Sequence, residues 1–77
     1  MQPEDSSQVR VPSGVFDGIE AVRRSGRVNM LDRPAVVRVA FELGQHATVL
    51  WIREHPSEYA RGVFHGFRAT DEGVPHA

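Results

Sequence analysis

The chain has 77 residues, 40% of them hydrophobic and 25% charged, with no cysteine and a formal net charge of −1. That length holds one domain, and the lack of cysteine excludes a zinc–thiolate site, a disulfide framework and a thiol nucleophile. No apolar run approaches the roughly 20 residues of a membrane-spanning helix, and Met1–Ser13 has neither the basic start nor the apolar stretch of a secretory signal, so a soluble, cytoplasmic protein is expected.

The first 13 residues are rich in Ser, Gln, Pro and acid, with Val9 and Val11 as the branched apolar residues. So little apolar surface does not offset the entropy of ordering, and 1–13 is read as a disordered tail. Residues 68–77, broken by Gly73 and Pro75, read the same way. Between them, 14–67 is expected to fold as an all-α domain of three to four short helices.

The first helix is predicted from about Gly14 to Ser25, with Ser13 as its N-cap and an apolar stripe of Val15, Phe16, Ile19 and Val22. Gly18 in mid-helix costs about 1 kcal/mol relative to alanine, which points to a neighbour approaching the backbone closely. Arg23 and Arg24 complement the dipole in the last turn, and Gly26 supplies the left-handed stop.

The second helix begins at Asp32 as N-cap, with Pro34 in the first turn, where its missing N–H costs nothing. Leu31 and Val36 then stand as partners of a hydrophobic staple. Val36, Val39, Ala40 and Leu43 repeat at helical spacing, and Gly44 ends the element. The stretch Ala47–Ile52 is apolar nearly all round. A buried helix over 45–54 is preferred to a strand, because a lone strand would leave its backbone groups unsatisfied and no second strand is foreseen. His55-Pro56 breaks the chain. Pro56 suits the first position of a last helix with Glu58 in its first turn, and Tyr59, Ala60, Val63, Phe64 and Phe67 are its predicted buried face. Gly62 and Gly66 form a four-spaced small strip fit for close helix approach.

No enzyme signature is present: no glycine-rich phosphate loop, no Gly-x-Ser-x-Gly elbow and no His-Glu-x-x-His. Glu54, His55, Glu58 and His65 form the nearest thing to a metal cluster, but their spacing suits capping and solvation better, so no metal and no cofactor is expected. Ser13, Ser25 and Ser57 fall at turns or caps. The chain is therefore read as a non-catalytic module that binds protein, either a second copy of itself as a homodimer or a host factor, without membrane attachment. Its candidate interaction surface is Trp51, Tyr59, Gly62 and Gly66, since large aromatics dominate both cores and interfaces.

Nucleic-acid binding is the alternative. All nine basic residues are arginine, eight of them between Gly14 and Arg68 against six carboxylates. Arg23, Arg24, Arg27, Arg33 and Arg38 form the candidate phosphate-facing patch. Ala40 and Gly44 fit a helix-turn-helix, with Leu50 at a packing position of its second helix. Against it, Gln45 stands where an apolar residue belongs and Arg53 where the second helix packs. The would-be reading stretch His46–Ile52 is also apolar, whereas base edges are read by polar side chains.

Ser25-Gly26-x-x-Asn29-Met30-Leu31-Asp32, then Val36, Val37 and Ala40, then Val49-Leu50-Trp51-Ile52-x-Glu54-His55, then Glu58-Tyr59-Ala60 and Gly66 carry a resemblance. Over Phe16–Phe67 the chain resembles a family of short phage- and prophage-borne proteins of unknown function. That family is marked by an Asn-Met-Phe-Asp box and a Trp-Ile-x-Glu-x-x-x-x-Tyr-Ala run, and Leu31 replaces the Phe of the box. The resemblance implies a helical fold and a mobile-element context, and brings no catalytic or binding residues with it.

Overall fold

The computed structural model describes residues 7–70. In chain order it contains β1 (Val9–Pro12), α1 (Ser13–Ser25), α2 (Arg33–Glu42), α3 (His46–Glu54), α4 (Pro56–His65) and β2 (Phe67–Thr70). The protein is thus mostly helical, as expected, with one addition to the all-α reading. β1 and β2 pair in parallel, Val9 opposite Phe67 through Pro12 opposite Thr70, and the Val9 N–H donates to the Gly66 carbonyl at 3.0 Å.

The inner part of each expected tail is therefore structured; the outer parts, 1–6 and 71–77, lie outside the described residues. Val9 and Val11 point inward while Arg10 and Pro12 face out, the two-residue period of a half-buried strand. These two valines suffice because they cover α1: with Val15 and Ile19 they form one of two small cores. The second and larger core holds Val22, Val36, Val39, Ala40, Val49, Ile52 and Tyr59. Met30, Trp51 and Phe67 pack against both.

Helix ends follow their local chemistry, with some reassignments. Pro12, not Ser13, is the N-cap of α1, and no side chain caps that end. At its other end Gly26 is left-handed at φ 66°, and Ser25 braces the turn, its Oγ donating to the Val22 carbonyl at 2.6 Å and accepting from Arg27 N–H at 3.2 Å. The Asn-Met-Leu-Asp box is a turn and a cap. Asn29 Oδ1 accepts from Leu31 N–H at 2.8 Å, Asp32 N–H donates to the Asn29 carbonyl at 2.9 Å, and Asp32 Oδ1 accepts from Ala35 N–H at 3.3 Å. The predicted staple does not form: Val36 is fully buried, but Leu31 lies exposed and Met30 packs inward in its place.

The Ala47–Ile52 stretch is helical, with Gln45 as the N-cap residue of α3 and Thr48, Val49 and Ile52 buried. Gly18 is where α1 and α3 touch. A Cβ built there would lie 1.9 Å from Thr48 Oγ1 and 2.8 Å from Thr48 Cβ. Thr48 is itself fully buried and donates its hydroxyl to the Val15 carbonyl at 3.2 Å, which removes the cost of burying it. On α4, Tyr59 and Gly62 are buried, whereas Ala60 and Phe64 face outward. Phe67 belongs to β2 and not to the helix.

Gly18→Ala is expected to destabilise the protein by about 1–2 kcal/mol, the steric cost at Thr48 outweighing alanine's gain in helix propensity. A lower midpoint of urea unfolding at unchanged slope reads this out.

Candidate functional site

The residues foreseen as an interaction surface come together, but largely on the inside. Tyr59 is 1% exposed. Its hydroxyl donates to the Met30 carbonyl at 2.6 Å, so α4 is fastened to the box that precedes α2. Burial pushes the Tyr59 pKa up to about 12, because the phenolate would have to form away from water.

Trp51 is half-buried between the two cores, its ring edge-on to Phe67 at 6.3 Å and stacked on His55 at 4.8 Å. His55 Nδ1 in turn lies 2.9 Å from the Trp51 carbonyl, which caps the C-terminal end of α3. Gly62 is the seat of the Phe67 ring, which would meet a Cβ there at 2.2 Å. Gly66, at φ 101°, turns the chain from α4 into β2. Gly62 thus receives a strand's aromatic side chain from the same chain, not a second helix, and Gly66 lies against the Gln8 side chain.

The arginines foreseen as a patch are divided. Arg23 is paired with Glu20 at 2.6 Å, and that hydrogen bond, with the charge behind it, raises the guanidinium pKa further. Arg27 is paired with Glu42. Arg24, Arg33 and Arg38 are exposed and make no ion pair among the described residues. No group of three or more His, Asp or Glu placed to hold a metal occurs among them either.

A groove of about 260 Å³ runs between α1, Met30, α4 and β2, with Phe16, Ile19, Val63 and Phe67 on its walls and the Glu20–Arg23 pair at its rim. That volume falls just short of the roughly 300 Å³ at which small-molecule sites begin.

Sequence reasoning missed the apolar outer surface. Leu31 is 53% exposed, Phe41 61%, Leu43 39%, Leu50 57% and Phe64 71%. These are all three leucines and two of the four phenylalanines of the chain, while the cores are built chiefly from valine, isoleucine, alanine and one tyrosine. Helical spacing predicts Leu43 and Phe64 on buried stripes, and the helix-turn-helix alternative puts Leu50 at a packing position; all three face outward. A signal did exist for Phe41, which falls outside the Val36, Val39, Ala40 stripe of α2. In α3 an apolar surround hid which face is covered.

A protein family described as a domain of unknown function (DUF5049) matches residues 13–66, from the first residue of α1 to the glycine that ends α4. No curated protein and no solved structure matches the chain.

Tyr59 isolates one alkaline transition, because the chain has no lysine, no cysteine and no second tyrosine. The folded chain holds the Tyr59 proton up to about pH 12, whereas the unfolded chain releases it near 10. The stability linked to this proton is therefore fully present below pH 10 and falls as the pH rises from 10 to 12. Tyr59→Phe should lose about 1 kcal/mol at neutral pH with the bond to Met30 and should lack this alkaline decline. Urea titrations at a series of pH values check both.

Proposed function

The chain belongs to the DUF5049 family, and from that premise we propose that it is a small non-catalytic module whose work is to bind the surface of another protein. One observation carries the reading: every leucine and half of the phenylalanines lie on the outside of a fold whose cores are filled without them. Scattered apolar residues are normal on a surface. Five large ones on so small a domain are a liability unless a partner covers them. Packing behind those side chains, with Gly18 against Thr48 and Tyr59 fastened to the Met30 carbonyl, also fits binding, since a rigid face loses little entropy on association.

The resemblance to phage- and prophage-borne proteins supports a mobile-element accessory role in the cytoplasm, directed at a host protein or at the chain itself. No helix among the described residues is long and apolar enough to cross a membrane. A phosphate-facing role for the arginines is less well supported, since Arg23 and Arg27 are already neutralised by carboxylates and the outer face of α3 is apolar and acidic as well as basic.

Replacing Phe41, Leu50 and Phe64 together by serine tests the reading. Exposed side chains that serve binding leave the helical circular dichroism and the unfolding midpoint close to those of the unmodified chain when removed, while association is lost. Capture from host lysate and light scattering on both forms read the association. Collapse of the fold in the triple variant, or an unmodified chain that binds neither itself nor any protein, overturns the proposal.

A further inference from the structure

Resting on the reading of the chain as a protein-binding module, we infer that the partner of the outer face of α3 is a second copy of the same chain, packed antiparallel about a two-fold axis at Leu50. Thr48, Val49 and Ile52 turn α3 inward. Its opposite face carries His46, Leu50 and Glu54, all exposed, spaced by four so that they form one ridge along the helix. Phe41 of α2 extends the ridge, its ring edge-on to His46 at 5.4 Å.

The order along that ridge is what selects the occupant. It reads proton donor, apolar, carboxylate, and it is complementary to itself only when reversed. An antiparallel copy sets Leu50 against Leu50 and each Glu54 carboxylate against the partner copy's imidazole N–H, twice over by symmetry. A parallel copy would set carboxylate against carboxylate. A patch that answers itself under reversal is the requirement of a two-fold interface, the commonest closed assembly. The groups that would pair are available. Neither the His46 nor the Glu54 side chain takes part in an ion pair or hydrogen bond among the described residues, whereas those of Glu20 and Glu42 are matched within the chain. Arg53 falls opposite Ala47 in this register, so no like charges meet.

Sedimentation equilibrium of the full chain from micromolar to millimolar concentration tests this. A monomer–dimer equilibrium is expected. Leu50→Arg, which forces two unpaired cations onto the axis, should raise the dissociation constant more than about a hundredfold with unchanged circular dichroism. Glu54→Arg alone should weaken the dimer roughly tenfold. Adding His46→Glu to it should restore the constant to within about threefold, since the pair is then present with its polarity exchanged.

A chain that stays monomeric throughout, a dimer indifferent to Leu50→Arg, or a reversed pair that restores nothing overturns the inference. Its failure is separable from that of the broader reading. A monomer that captures a different protein, and loses it with the triple serine variant, refutes self-association alone. A monomer that captures nothing refutes both.

Discussion

Everything in this fold depends on the junction at which Met30, Trp51 and Phe67 lie between the two small cores. Neither core alone is large: one is four side chains from β1 and α1, the other seven from α1 to α4. A chain of this length buries a modest fraction of its surface and has little stability to spare. The three shared side chains make one continuous apolar interior out of two. Each has its own support: Met30 the Tyr59 hydroxyl on its carbonyl, Trp51 stacking on His55, and Phe67 the missing side chain of Gly62.

How much of this could be read beforehand follows the range of the interactions. The start of α2 was legible because Asp32, Pro34 and the valine stripe act within one or two turns of one another. Gly18 announced a close neighbour, and Thr48 is that neighbour. The strands were illegible for the opposite reason. Val9 and Val11 look negligible within a polar stretch, and the partner that gives them value is Phe67–Thr70, at the other end of the described chain. A search for local pairing finds no second strand because none is local.

The candidate site was legible only in part, again for a physical reason. Composition marks Trp51 and Tyr59 as important but does not say which way they face. Tyr59 turned inward because a backbone carbonyl was available to its hydroxyl; Trp51 remains half-open over His55. Periodicity told buried from exposed on α2 for Phe41. It failed on α3, where Val49, Leu50, Trp51 and Ile52 run consecutively around the helix and apolar character does not say which side the core covers. The Asn-Met-Leu-Asp box shows the distinction most plainly: Asn29 and Asp32 are occupied with the backbone, Met30 with the interior, and Leu31 alone has no task within the chain.

The parallel pairing of β1 with β2 also sets an order of events during synthesis. The segment that becomes β1 is made before the helices, yet it has nothing to pair with until all four of them have been made and Phe67–Thr70 has followed. Helices α1 to α4 join through short connections and assemble quickly from nearby contacts, whereas this last closure spans nearly the whole described chain and bears its entropy. A nascent chain therefore carries an unlatched valine strand and an uncovered face of α1 until Phe67–Thr70 has been made. The first moment at which it is fully protected comes after β2 has been made.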